Sequence, residues 1–221
     1  MKVSYRFVVI AAIFVTCLIT ANIVGVKVMA LGLFILPAAV VLFPLSYIFG
    51  DILTEVYGYR QARRVIWLGF LCNLIFVIFA WVGQVLPPAP LWEWQEAYES
   101  ILGYTPRLLV ASFCGYFAGE FANSFVLAKM KILTKGRWLW SRTIGSSIVG
   151  QGLDTVIFVT GAYFGAPFFV PIMILYHWLA KIGIEAVATP FTYAAVNFLK
   201  KKEAIDTYDY ETNFNPFLIS G

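Results

Sequence analysis

The chain has 221 residues, of which 61% are hydrophobic and only 13% charged, with a mean hydropathy of +0.80 and a net charge of +4. Soluble domains are about a quarter charged, so this composition excludes an ordinary soluble globular domain. At about 20 residues per span it accommodates about six membrane helices and no separate soluble domain. The positive balance does not point to a nucleic-acid partner, because the basic residues gather in short clusters beside apolar runs.

The first apolar stretch runs from Phe7 to about Val26, longer than the roughly 7–15 residues of a signal-peptide core, and is expected to stay as span one. Span one carries Asn22 and Lys27 in its outer part, the latter as a snorkelling anchor. The six spans are expected at roughly 7–29, 33–57, 62–86, 105–130, 142–165 and 168–199. Span two contains Asp51 and, near its inner end, Glu55; the loop after it, "YGYRQARR", is basic. Span three is followed by "PPAPLWEWQEAYESILGYTPR", which sets Glu93, Glu96 and Glu99 against Arg107. Span four contains Tyr116, Glu120 and Asn123, and leads into the basic loop "KMKILTKGRWLWSR". Span five contains Gln151 and Asp154, and span six contains His177, Lys181 and Glu185 before the basic "LKKK". Basic loops face the cytoplasm. All three basic segments fall on one side only if both termini are cytoplasmic.

Within the spans, the polar residues come in pairs three or four apart, so each pair shares one helix face. These pairs are Asp51 with Glu55, Glu120 with Asn123, Gln151 with Asp154, and Lys181 with Glu185. A charge facing lipid at the bilayer centre costs about 2.5–3.5 kcal/mol, so four cost on the order of 10 kcal/mol. The spans are therefore expected to turn Glu120, Asn123, Gln151, Asp154, Lys181 and Glu185 toward a shared polar site halfway across the membrane, with Asp51 at its inner edge. Three acids against one lysine do not balance, and the surplus calls for a proton, a cation or ligand donors. Span two and span four also echo one another, as "YIFGDILT" and "YFAGEFAN", both Y-x-x-G-[DE]-x-x-[TN]. Gly115 and Gly119 form a G-x-x-x-G that permits close helix approach, as do Gly161 and Gly165.

No catalytic signature such as G-x-S-x-G, H-E-x-x-H or a Walker lysine is present. Cys17, Cys72 and Cys114 stand singly in apolar runs without C-x-x-C spacing, so neither a metal nor a cofactor is expected.

The stretch "FPLSYIFGDILTEVYGYRQARR", followed in order by "GEFANSFVLAKMK", "RTIGSSIVGQGLDTVIF" and "KIGIEAVATPFTY", resembles the queuosine precursor transporter family, within the wider group of vitamin uptake transporters. The resemblance covers roughly residues 5 to 200. It implies an all-α integral membrane bundle of six transmembrane helices, here over residues 1–203, in a bacterial inner membrane; the tail over 204–221 lies beyond the resemblance and is expected to be a solvated cytoplasmic extension. It further implies a transporter, not an enzyme, that imports 7-cyano-7-deazaguanine or 7-aminomethyl-7-deazaguanine. On the residue reading, Glu120 or Asp154 accepts the ring's N–H and amino hydrogens, while Gln151, Asn123 or Lys181 donates to its carbonyl. Tyr116, Phe158 and Tyr176 are candidates to stack on the ring, and Asn22 is a further candidate at the site. Proton coupling and facilitated diffusion both fit the surplus of acids, and a homodimer fits as well. Another reading is the substrate-binding subunit of an energy-coupling-factor transporter, or uptake of a different small heterocycle. A purely structural membrane protein would use the same charges for helix packing alone.

Overall fold

The computed structural model describes residues 4–31, 34–103, 106–165 and 169–218. Six long helices dominate it: α1 (Tyr5–Val24), α2 (Phe43–Tyr57), α3 (Tyr59–Val85), α5 (Pro106–Leu133), α6 (Leu139–Tyr163) and α7 (Ile172–Glu203). A short helix, α4 (Gln95–Leu102), lies in the acidic loop between α3 and α5. Among the described residues, four segments are long and apolar enough to cross a membrane: Tyr5–Val24, Ala38–Tyr57, Tyr59–Val85 and Ile172–Glu203. At 28 and 25 residues α5 and α6 have the length. Their polar and small residues keep them below that apolarity, because much of what they carry faces protein.

The second expected span, 33–57, is corrected at its N-terminal end. Two short strands, β1 (Val28–Leu31) and β2 (Phe34–Pro37), pair antiparallel with Val28 opposite Pro37 and Leu31 opposite Phe34. A 3-10 turn over Ala38–Val41 follows, and α2 starts only at Phe43. A short apolar run reads equally as strand or helix from periodicity alone. Pro37 supplies no N–H to continue a helix, whereas Pro44 sits in the first turn of α2, where that N–H is not needed. The expected span starts at 33, 105 and 168 lie outside the described residues.

Local chemistry fixes the other boundaries. Ser4 caps α1 by accepting from the Phe7 N–H at 3.1 Å. Gly58 separates α2 from α3 with φ +85°, a left-handed conformation that favours glycine. A Cβ there would also lie 2.6 Å from the Thr207 Cγ2 of the C-terminal tail. The apolar core lies between α1, α2 and α3, around Phe14, Leu18, Leu53, Val56 and Ile66, with Phe121 of α5 completing it.

The tail is not the solvated extension expected of residues 204–221. From Ala204 to Leu218 it runs back across the ends of α2, α3 and α5. The Thr207 N–H donates to the Val56 carbonyl at 3.2 Å, and Asp209 Oδ2 accepts from the Tyr59 N–H at 3.0 Å. Trp67 Nε1 donates to the Pro216 carbonyl at 2.8 Å, and the Lys129 ammonium sits 4.2 Å from the Phe214 ring centroid. Tyr208, Phe214 and Phe217 give this polar-looking sequence enough apolar surface to dock.

Candidate functional site

α2, α5, α6 and α7 converge on a buried polar cluster. The closest approach is between α5 and α6, and it depends on glycine. A Cβ on Gly119 would lie 2.9 Å from the Gly150 carbonyl oxygen, and one on Gly150 would lie 2.8 Å from the Gly119 oxygen. A Cβ on Gly115 would meet Asp154 Oδ1 at 2.8 Å. Gly115 and Gly119 therefore use the expected small-residue spacing inside one chain. In the second pair, Gly161 faces Ala111, but Gly165 faces open space.

The echo between spans two and four is a physical crossing. A Cβ on Gly50 of α2 would lie 3.1 Å from Glu120 Oε2 of α5, and Gly119 of α5 faces the Tyr47 hydroxyl of α2. Each helix thus offers its glycine to a polar side chain of the other. Asn123 Nδ2 donates to Asp51 Oδ1 at 2.7 Å, and the Thr54 hydroxyl lies 3.1 Å from that of Ser124.

On the opposite side of the cluster, Lys181 Nζ donates to Asp154 Oδ2 at 2.7 Å and to Thr155 Oγ1 at 3.2 Å. Glu185 accepts from Ser147 Oγ on one oxygen and from Gln151 Nε2 on the other.

Seven of the eleven candidate residues are therefore gathered around this cluster: Asp51, Glu120, Asn123, Gln151, Asp154, Lys181 and Glu185. Tyr116 borders it and interacts electrostatically with Glu120, but its hydroxyl is engaged with the Ile66 carbonyl of α3 at 2.9 Å. Asn22 is turned to another partner: its Nδ2 donates to Asn73 Oδ1 of α3 at 2.8 Å. Tyr176 is exposed, and Phe158 packs edge-on to Tyr163. His177 is buried.

The donors expected to meet a ligand carbonyl each have a partner within the protein. Gln151 gives one of its two amide hydrogens to Glu185, Asn123 one to Asp51, and Lys181 pairs with Asp154. What is left is an excess of acceptors. Among the described residues, neither oxygen of Glu120, which is 0% exposed, has a hydrogen-bond partner. Asp51 Oδ2, Asn123 Oδ1 and Gln151 Oε1 are also buried without one, as is the Tyr47 hydroxyl. Buried polar atoms are normally satisfied, so these acceptors are candidates to receive donors from water or a ligand.

Sequence reasoning passed over Tyr47 and Ser147. Each lies four residues before a singled-out residue, Asp51 and Gln151, so extending those helix faces by one turn would have found both. The sequence sets Arg142 at the end of a basic loop and Glu55 near the inner end of span two. In the structure they form a buried ion network. Glu55 Oε1 accepts from Arg142 Nη2 at 2.8 Å and from Lys200 Nζ at 2.7 Å, with Lys131 Nζ at 3.7 Å. Asp206 of the tail closes the network, 2.6 Å from Lys131 and 2.9 Å from Lys200.

Residues 37–195 match the family described as "Putative vitamin uptake transporter". The chain is similar to a "Probable queuosine precursor transporter" of Bacillus subtilis (strain 168), 31% identical over 160 residues, which cover 69% of this chain and 68% of that one. It is also similar to a protein of the same description from Haemophilus influenzae, 24% identical over 143 residues, 64% of this chain and 56% of the relative. No solved structure matches the chain significantly.

Proposed function

The chain belongs to the vitamin uptake transporter family, a multi-pass membrane protein and not an enzyme, and on that premise we propose that it imports 7-deazaguanine precursors of queuosine through the polar cluster between α2, α5, α6 and α7. Both similar proteins are described as transporters of queuosine precursors. The observation that carries the reading is the buried, unpartnered carboxyl of Glu120, surrounded by further acceptors without donors.

A deazaguanine suits that imbalance. Its ring N–H and exocyclic amino group lie side by side on one edge, and a carboxylate accepts both bidentately. Glu120 takes this role in preference to Asp154, which is neutralised by Lys181. Gln151 Oε1 and Asn123 Oδ1 are available to further N–H groups, including the amine of the aminomethyl precursor. In this reading all six long helices cross the inner membrane of a bacterium, with both termini in the cytoplasm. A proton carried on the surplus carboxyls of this cluster is coupled to transport.

The test is uptake of each radiolabelled precursor into liposomes holding the purified protein, without ATP. Wild type accumulates substrate, and Glu120→Gln, which keeps the shape but loses the acceptor pair, lowers initial uptake at least tenfold, on the order of a charged hydrogen bond. Wild-type rates in Glu120→Gln would remove Glu120 from the site. No uptake without partner ATPases would favour the energy-coupling-factor subunit. Collapsing the pH gradient separates coupled from facilitated transport.

A further inference from the structure

We infer a second site, for a phosphate-bearing anion, in a cavity of about 600 Å³ between the start of α3 and the docked tail, where Arg60 and Arg63 meet Tyr208, Tyr210 and Thr212. It is separate from the polar cluster and does not depend on what the protein transports.

The reason is an uncompensated charge. Arg63 is 2% exposed. One of its terminal nitrogens, Nη1, donates to the carbonyls of Asn213 and Asn215, at 2.8 and 2.7 Å. Its Nε is buried without any acceptor. Among the described residues no carboxylate pairs with it, and its charged neighbours are Arg60 and Arg64, which repel it. Two carbonyl dipoles and the Tyr59 ring, whose centroid is 5.7 Å from Arg63 Cζ, supply no counter-charge for a buried guanidinium. Glu211 is on the cavity wall as well, but it forms an ion pair with neither arginine.

An anion in the cavity supplies the missing counter-charge. Arg60 and Arg63 are three apart at the start of one helix, so their guanidinium groups lie on the same face. Two planar forks on one face suit the several oxygens of a phosphate better than the two of a carboxylate. The volume greatly exceeds a bare phosphate and has room for what the phosphate is attached to. The chemistry is shared by an anionic phospholipid headgroup and by a soluble phosphate compound. Tyr208 and Tyr210, whose rings stack 5.8 Å apart, carry the tail along one wall, so an occupant would also hold the tail in place.

The full-length protein in phosphatidylcholine nanodiscs, followed by thermal unfolding, tests this. One probe is inorganic phosphate, against sodium chloride at equal ionic strength. The other is replacement of part of the phosphatidylcholine by phosphatidylglycerol. The expected result is a rise in Tm that grows with the amount of one probe. A response to phosphatidylglycerol alone identifies a headgroup, and a response to phosphate identifies a soluble ligand. Arg60→Gln, an exposed residue with no ion pair, keeps the unliganded Tm and weakens the response about tenfold, the loss of one charged hydrogen-bonding partner. The site is overturned if neither probe moves wild type, if sodium chloride acts equally, or if Arg60→Gln responds as wild type does.

Discussion

Asp154 and Glu120 are two buried acids facing the same α5–α6 seam, and their surroundings give them opposite roles. Asp154 is held by Lys181 at 2.7 Å, with both side chains less than a tenth exposed. Removing one partner strands the other charge, so Lys181→Met should destabilise the protein by about 3–5 kcal/mol. Adding Asp154→Leu should restore most of that loss, as read from thermal unfolding of the double variant. Glu120 has no partner to lose. Its replacement by Gln should leave Tm unchanged or raised while uptake falls, because an unsatisfied carboxyl is costlier to bury than an amide. Stability and transport should therefore separate at Glu120 and move together at Lys181.

At the level of helices, the α5–α6 contact is set by glycine rather than by apolar bulk. The methyl added by Gly119→Ala would stand 2.9 Å from the Gly150 oxygen, 2.7 Å from Asp154 Cβ and against the Tyr47 hydroxyl. No flexible side-chain end is there to yield to the backbone oxygen, so the helices must part. We expect a loss of about 1–3 kcal/mol. Gly183→Ala in α7 is the contrast, since nothing lies within 4 Å of its added Cβ. There the gain in helix propensity, about 0.5–1 kcal/mol, should raise Tm. The same crossing logic explains the repeated Y-x-x-G-[DE] pattern: the glycine of each copy makes room for a polar side chain of the other.

Across the whole molecule, the Glu55 network joins α2, α5, α6, α7 and the tail at one end of the bundle. Glu55→Gln leaves Arg142, Lys131 and Lys200 close together with only Asp206 to balance them. A loss of about 3–5 kcal/mol is expected, measured by thermal unfolding. Asp206 makes tail docking pH-sensitive. Partial burial pushes its carboxyl up, but hydrogen bonds from Lys131 and Lys200 more than offset this and hold it below its ordinary value of 3.8. A depressed carboxyl contributes fully above that ordinary value, and the contribution is lost as pH falls through the lower, folded value. Proteolysis of the tail should therefore stay constant from neutral pH to about 4 and rise below it; Asp206→Asn should remove the acid step.

Much of the site was legible in the sequence because a membrane makes polar residues expensive. Glu120, Gln151, Asp154, Lys181 and Glu185 could not face lipid, so helical spacing alone put them on inward faces. Asn22 obeys the same rule, yet it is satisfied by Asn73 of α3. Spacing gives the face of a helix but not the neighbour it meets. The paired strands at 28–31 and 34–37 were hidden because an apolar run has no period to separate strand from helix, and the tail because its few aromatics sit among polar residues. The order of the long helices and the inward turn of their polar faces were determined by the sequence itself, through local periodicity and the cost of desolvation. Only the tertiary structure decided which acid found a cation and which was left with none, because pairing depends on distances between helices remote in the chain.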